Sequence, residues 1–279
     1  MYFKGIVCTD LDGTILFRED DKDYTPYIKE RDLAALNALS ESGYMIAITT
    51  GREMNGIRSF LRQAGVAFDY YVGGNGGIIL NQHFKVLRKA YLPKDVMVRV
   101  VKFINTNYPE VQMMGTDGWK VFFFETAYAN AQVQESRAEA ETITFEAYEY
   151  SDKGFIMMNA NAPRDFTLEK QTALADSLER DLNIQFGREI NIFRNQNFLD
   201  FAPINISKGN AVEYLADHLN LDMSKVHVIG DSWNDLSMFE TKANSYSFLH
   251  ADDDLQKKAD EVVESFADMV AKLGLIEEK

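Results

Sequence analysis

Near the start of the chain, short apolar runs alternate with amphipathic stretches, and each run stops at a polar cluster. Tyr2-Phe3-Lys4-Gly5-Ile6-Val7-Cys8-Thr9 reads as a buried strand ending at Asp10-Leu11-Asp12-Gly13-Thr14. Thr25-Pro26 predicts a capped helix start, Leu33, Ala35, Leu36 and Leu39 its apolar stripe, and Gly43 its end. Tyr44–Thr49 predicts a second strand, which runs into Thr50-Gly51-Arg52. Ile57, Phe60, Leu61 and Ala64 recur at helical spacing, and Tyr70-Tyr71-Val72 predicts a third strand closing on Gly73–Gly77. The order βαβαβ predicts an α/β fold with a Rossmann-like, doubly wound parallel sheet.

The pattern changes over residues 84–202. Pro93 opens a helix carrying Val96, Val100, Phe103 and Ile104. Val111–Met114 and Trp119–Phe124 predict a hairpin around Thr116-Asp117-Gly118, and Phe145–Tyr150 with Phe155–Asn159 a second strand pair. Glu135–Glu146 reads as an acidic, solvated helix face, Thr167–Leu182 as a helix, and Ile190–Phe193 and Phe198–Phe201 as strands. Paired strands mixed with helices predict an α+β unit. From Ile206-Ser207-Lys208-Gly209 the earlier pattern returns: a helix through Leu219, the strand Val226–Ile229, the cluster Asp231-Ser232-Trp233-Asn234-Asp235, a last strand at Tyr246–Leu249 and a closing helix at Asp268–Leu273. Residues 84–202 thus read as an α+β domain inserted into a core made of 1–83 and 203–279.

Three predicted strands of the core end in Asp10/Asp12, Thr50/Gly51/Arg52 and Asp231/Asn234/Asp235. Open parallel sheets bind ligands outside the carboxyl ends of their strands, so these clusters are expected to converge, with Lys208 near them. Side chains two apart on a strand point the same way, so Asp10 and Asp12 repel unless a cation, a shared proton or water intervenes. A loop of solvated acids, a calcium loop, and a nucleophilic aspartate with an acid–base partner and a divalent metal all begin this way. The calcium loop fails further on: Asp21 stands where its glutamate belongs, and Ile15, Leu16 and Phe17 fall among its ligands. Four carboxylates in one place need a cation, and an oxygen-rich set suits Mg²⁺. The Thr50 hydroxyl, the backbone N–H groups of Leu11 and Gly51, the Asn234 amide and the Lys208 ammonium form a donor set for phosphate oxygens.

Composition narrows the partners. Across 279 residues the chain is 46% apolar with a net charge of −14, which argues against nucleic acid and anionic membranes but leaves small anionic substrates open. Cys8 is the only cysteine, so an intrachain disulfide is excluded. No apolar run reaches the ~18 residues of a membrane span, and the first residues carry no basic-then-apolar leader; a cytoplasmic protein is the expectation.

Asp10-x-Asp12-Gly13-Thr14, Thr50-Gly51-Arg52, Ser207-Lys208-Gly209 and Gly230-Asp231-x-x-Asn234-Asp235 resemble the four ordered motifs of the haloacid dehalogenase-like superfamily. Gly74-Asn75-Gly76 is similar to the segment preceding the cap in its Cof-type, subfamily IIB members. The resemblance implies a phosphatase. Asp10 would attack phosphorus and form an aspartyl-phosphate; Asp12 would serve as acid, then base. Asp10, the backbone carbonyl of Asp12 and Asp231 would hold Mg²⁺, Asp235 would support the site from behind, and Lys208 would neutralise charge. It also implies that the insertion is a cap favouring small phosphorylated metabolites, sugar phosphates foremost. A phosphomutase like the phosphomannomutases and a non-catalytic phospholigand-binding protein are the alternatives. Asn205, Leu249 and His250 depart from the family pattern, which has glycine, glycine and asparagine there.

Other candidates have plainer readings. Cys8 is a core residue, since the residue six further on is Thr14 and not the arginine of a cysteine phosphatase. His83, His218, His227 and His250 lack metal-ligand spacing. Trp119, Phe122, Phe123 and Phe124 read as core, and Arg52 either as a contact on the substrate side or as a helix-start ion pair; Trp233 is placed to border the site, and Asn159, Asn161 and Asp200 are candidate contacts to a leaving group.

Overall fold

Central strands of a parallel sheet are covered on both faces and need unbroken apolar runs. β1 (Gly5–Thr9) and β2 (Tyr44–Thr49) are such runs: β1 is buried throughout, and β2 from Ile46 onward. The computed structural model of the chain describes residues 3–17, 26–64, 67–125, 141–195 and 197–277. Among these, β3 (Tyr70–Gly73), β4 (Ile78–Asn81), β5 (Val86–Lys89), β12 (Val226–Ile229), β13 (Asn244–Phe248) and β14 (Glu261–Val263) complete an eight-stranded sheet of order β14-β13-β12-β1-β2-β3-β4-β5. The six strands from β14 to β3 are parallel, and β4 turns back antiparallel on β3. From β1 the chain winds through β2 and β3 to one side; β12 to β14 lie on the other. This is the α/β doubly wound class.

Crossovers are supplied by α1 (Glu30–Glu41) and α2 (Met54–Ala64); α6 (Lys208–Leu219), α7 (Leu236–Phe239), α8 (Asp253–Gln256) and α9 (Phe266–Lys272) belong to the later half. α1 packs on α9, where Asp32 reaches across so that its Oδ1 accepts the Ala267 N–H at 2.9 Å. The expected cap at Thr25-Pro26 does not start α1. Thr25 lies outside the described residues; Pro26 precedes an extended bridge in which Phe17 and Tyr27 exchange backbone N–H···O bonds, both 2.9 Å, and the helix begins at Glu30. A proline's fixed φ suits that extended segment as well as a first helical turn.

Contacts divide the chain into two compact units, residues 1–52, 56–88 and 207–279 in one, 53–55 and 89–206 in the other. β5 extends the first unit past the expected 83, and the second runs past 202. The second unit has its own sheet, of order β10-β11-β9-β6-β7-β8, from β6 (Gln112–Thr116), β7 (Val121–Phe124), β8 (Glu141–Ile143), β9 (Met157–Asn161), β10 (Ile190–Asn195) and β11 (Phe198–Pro203). α3 (Lys94–Asn107) and α5 (Leu168–Phe186) share a core with it that includes Val100, Ile104, Phe124, Phe155, Leu182 and Phe201.

Phe145–Tyr150, expected as a strand, is a helix, α4. It is rich in aromatics, as strands often are, but Phe145 and Tyr148 stand at helical spacing, Thr144 accepts the Ala147 N–H at 3.0 Å and caps the turn, and Tyr148 buries and stacks on Phe155 with centroids 5.0 Å apart. Of the acidic stretch 135–146, residues 135–140 lie outside the described residues and Glu141–Ile143 form β8, paired with β7. The expectation passed over β4, β5, β14 and α8 altogether. No helix among the described residues is long and apolar enough to cross a membrane.

Candidate active site

β1 and β12 are neighbours from which the chain departs in opposite directions, so a crevice opens at their carboxyl ends. Asp10 follows β1, its N–H bonded to the Ile229 carbonyl at 2.9 Å, and Asp231 follows β12. Lys208 reaches the same place from the first turn of α6, a helix capped by Ser207, whose Oγ accepts the Asn210 N–H at 3.1 Å. The Lys208 ammonium is buried; it donates to Asp10 Oδ1 and Asp235 Oδ1, both at 2.6 Å, and to Asn234 Oδ1 at 3.3 Å. Asp235 Oδ2 accepts the N–H groups of Asp231 and Ser232, each at 3.0 Å. Asp231 Oδ1 accepts the Thr14 hydroxyl at 2.9 Å.

Two glycines let this packing close. Gly13 has φ 84°, and a Cβ there would lie 2.4 Å from Asp231 Oδ2. Gly76 has φ 101°, and a Cβ would lie 2.2 Å from the Ser207 carbonyl oxygen, so any side chain would push away the residue that caps the Lys208 helix.

Three buried or half-buried carboxylates face one ammonium, and the surplus of negative charge sets the protonation. Burial pushes the Asp10 carboxyl up to about 7, with Asp235 and Asp12 adding to the rise against the pull of Lys208. Burial and the Asp10 charge push Asp231 up to about 6, and burial also raises Asp235. Burial works against the Lys208 charge, but Asp10 and Asp235 hold its pKa above the usual lysine value. A bound dication would balance the surplus. Carboxylate oxygens of Asp10, Asp231 and Asp235 lie within 4.8 Å of one another and could hold a metal ion. Among the described residues no donor reaches Oδ2 of Asp10 or of Asp231, whereas both oxygens of Asp235 are engaged. Asp10 and Asp231 therefore fit a hard cation, and Asp235 fits a buttress for Lys208 and the Asp231 backbone.

The residues expected to bind phosphate follow β1 and β2. Thr50, buried after β2, accepts the Arg52 N–H on Oγ1 at 3.2 Å and donates its own N–H to Val72 O at 2.9 Å. Gly51 abuts Asn75, whose N–H bonds the Thr50 carbonyl at 3.1 Å. Leu11 is buried in the turn after Asp10. Asp12 points elsewhere. Its side chain is 46% exposed and forms a two-pronged ion pair with Arg52, Arg52 Nε donating to Oδ2 at 2.5 Å and Nη2 to Oδ1. Trp233 is 43% exposed, in the turn between Asp231 and Asp235. Asn159 and Asp200 are register partners on β9 and β11 of the second unit, where Phe122 and Phe124 are core. Cys8 is buried and free, and burial pushes its thiol up to about 12, as expected of an inert core cysteine.

Sequence reasoning gave no role to Thr14, Ser207, Asn75 or Ser237, whose hydroxyl accepts the Gly209 N–H at 3.1 Å. A serine before a helical run is a readable cap signal, so Ser207 was within reach; the other contacts join residues far apart in the chain.

Residues 7–271 match the family model of the haloacid dehalogenase-like hydrolases. The HMP-PP phosphatase of Serratia proteamaculans is 23% identical over 233 residues, spanning 83% of this chain and 79% of that protein. The structure of a HAD subclass IIB sugar phosphatase matches with a TM-score of 0.76 at 20% identity, over 98% of this chain and 100% of the other. That of a haloacid dehalogenase-like hydrolase from B. subtilis matches with a TM-score of 0.79 at 18% identity, over 96% and 99%. The structural likenesses speak for the fold, the family model for kinship. With Asp10, Lys208, Asp231 and Asp235 gathered at the strand ends, the chain belongs to the haloacid dehalogenase-like hydrolases and is an enzyme of their phosphatase type.

Proposed function

We propose that the enzyme is a Mg²⁺-dependent phosphatase of small phosphorylated metabolites, sugar phosphates foremost, working in the cytoplasm through an aspartyl-phosphate on Asp10. The observation that carries this reading is the buried Lys208 ammonium bridging Asp10 and Asp235 at 2.6 Å. A buried lysine held between two carboxylates keeps one Asp10 oxygen fixed in place and brings a positive charge to where phosphoryl oxygens would gather. Asp10, Asp231 and the backbone carbonyl of Asp12 would hold Mg²⁺, with Asp235 behind them. When bound, Mg²⁺ supplies charge neutralisation for the phosphoryl oxygens.

In the first step the Asp10 carboxylate forms a bond to phosphorus, the bond from phosphorus to the ester oxygen breaks, and Asp12 gives its proton to the departing alkoxide. In the second, water attacks phosphorus, its proton passes to Asp12, and the bond to Asp10 breaks, releasing inorganic phosphate. Thr50 Oγ1, the N–H groups of Leu11 and Gly51, Asn234 and Lys208 orient the phosphoryl group. All these residues belong to the first unit. The second unit, as an inserted cap, is left to choose the leaving group, with Asn159 and Asp200 as candidates for that choice.

The test is phosphate release from a panel of sugar phosphates, nucleotides and phosphorylated cofactors, with Mg²⁺ and with chelator. Mg²⁺-dependent release favouring sugar phosphates, abolished in Asp10→Asn, is expected. Release that persists in Asp10→Asn, or that ignores chelation, overturns the reading.

A further inference from the structure

The chain leaves the first unit at residue 88 and re-enters it at 207, one residue before Lys208. Arg88 joins these two points. It stands half-buried on β5, where its Nη1 donates to the Asn210 carbonyl at 3.4 Å and its Nη2 to the Gly76 carbonyl at 3.3 Å. Its Cζ lies over the Tyr214 ring, 4.9 Å from the centroid, and the Tyr214 hydroxyl donates to the Leu87 carbonyl at 3.3 Å. Asn210 and Tyr214 are four apart on α6 and share a face. The guanidinium therefore lies along the start of the helix that carries Lys208.

This is a costly place for a cation. Nε is buried without a partner, and no carboxylate among the described residues pairs with the group. Burial pulls its pKa below the usual arginine value. The first turn of a helix favours anions, not cations. A half-buried charge whose polar partners are carbonyls destabilises the fold unless its geometry serves something else. What arginine offers here is a rigid fork that spans two acceptors, which a point charge cannot do.

The two acceptors enclose Ser207. Gly76 presses on the Ser207 carbonyl so closely that a Cβ would lie 2.2 Å from its oxygen. Asn210 holds Ser207 from the helix side: its N–H donates to Ser207 Oγ at 3.1 Å, and Oγ donates to Asn210 Oδ1 at 2.8 Å. Lys208 is the next residue, and its ammonium meets Asp10 and Asp235 at 2.6 Å. A shift of this turn would carry the ammonium away from Asp10.

We propose that Arg88 is a positioning residue for Lys208: by tying Gly76 to Asn210 across Ser207 it fixes the first turn of α6 where the ammonium meets Asp10. The proposal rests on the phosphatase reading above. Arg88 acts through Lys208 and is assigned no contact to phosphate. The Lys208 charge serves the phosphoryl group, which every substrate shares. Loss of Arg88 therefore lowers turnover alike for good and poor leaving groups.

The experiment measures kcat and KM for wild type, Arg88→Gln, Arg88→Lys, Lys208→Ala, the double variant Arg88→Gln/Lys208→Ala, and Tyr214→Phe. The substrates are a sugar phosphate turned over by the wild type and p-nitrophenyl phosphate, each with Mg²⁺, below the unfolding range of every variant. For Arg88→Gln we expect kcat to fall by about 10- to 100-fold on both substrates with KM little changed, as for a misplaced catalytic group. Arg88→Lys should regain only a small part, and the double variant should match Lys208→Ala within about threefold, since both changes act on one interaction. Tyr214→Phe keeps the ring beside the guanidinium and gives up only the bond to Leu87; its kcat should stay at the wild-type level even where Tm falls. Unchanged kcat in Arg88→Gln with a lowered Tm would make Arg88 a structural residue and overturn the proposal. Losses that multiply in the double variant, loss on one substrate alone, full recovery with lysine, or an equal kcat loss in Tyr214→Phe overturn it too. If Arg88→Gln does not fold, Arg88→Lys, which keeps the stem and the charge, carries the test; failure of both to fold counts against the proposal. Full turnover by Lys208→Ala, or none by the wild type, overturns the phosphatase reading and this one with it. An impaired Lys208→Ala beside a fully active Arg88→Gln overturns this one alone.

Discussion

The site has a buried half and an exposed rim, and the two are built on different physics. In the buried half, Asp10 and Asp235 share the Lys208 ammonium where water hardly reaches, with half-buried Asp231 beside them. Each group there is tied to folding, because an uncompensated buried charge is costly. On the rim, Asp12 and Arg52 hold each other where solvent screens them, and such a pair contributes little to stability. On the proposed function, the buried half couples chemistry to the fold, whereas the rim bears on chemistry alone. Damage to the first should show in both turnover and unfolding, damage to the second in turnover only.

The hardest blow to this contrast is Asp10→Asn. Turnover should fall by more than about 10⁴-fold, since the nucleophile of a covalent route has no substitute. Metal-free Tm should rise, because the change removes a buried charge from a cluster with too many. Phosphate release and calorimetry check both; a lower Tm contradicts the picture of surplus charge. Next comes Asp12→Asn, with a loss of about 10²–10⁴-fold on sugar phosphates and a stability change within that of a surface substitution, about 0.5 kcal/mol. A large Tm drop would erase the distinction between the halves. Lys208→Ala should cost about 10²–10³-fold on every substrate alike, together with about 3–5 kcal/mol of stability, the usual range for breaking a buried pair. Selective loss on some substrates would move Lys208 from charge stabilisation to leaving-group recognition.

The smallest effect is in the pH dependence of metal stabilisation. The Asp10 and Asp231 carboxyls stand at about 7 and about 6, above the ~3.9 of an unfolded aspartate. Carboxyls raised in the fold favour folding most below the unfolded value, and that advantage is lost as pH rises through 7. Metal-free protein should therefore lose stability between about pH 4 and pH 7. A dication binds the ionised form, so Mg²⁺ should raise Tm more near pH 8 than near pH 5.5. Equal shifts at both pH values would show that these carboxyls do not meet the metal.

The central strands were legible because burial on both faces writes them as plain apolar runs, as in Gly5–Thr9 and Val226–Ile229. The edge strands β5 and β14 were not: they are three or four residues long and carry polar side chains such as Arg88 and Glu261; β4, next to the edge, is a buried apolar run too short at four residues to stand out. Phe145–Tyr150 was misread because its aromatic content suggested a strand, while the i, i+3 spacing of Phe145 and Tyr148, the Thr144 cap and the stacking of Tyr148 on Phe155 go with a helix. At the site, residue types at strand ends announced the family and brought out Asp10, Lys208 and Asp231. The pairing of Asp12 with Arg52 was not legible, since nothing local relates residues 40 apart. Nor was the engagement of both Asp235 oxygens, which follows from how a turn folds back on its own backbone.

One feature of the sheet bears on how the enzyme is made. β1 lies between β2, its near neighbour in sequence, and β12, which pairs Val226 with Ile6. At ~5–20 residues per second of synthesis, roughly 10–40 seconds separate the emergence of β1 from that of its second partner. Through that interval the first strand has one side unpaired and Asp10 has no lysine. Residues 89–206, a continuous stretch with its own sheet and core, leave the ribosome before the long closure that completes the first unit. The nascent enzyme thus acquires its inserted unit first and its chemistry last.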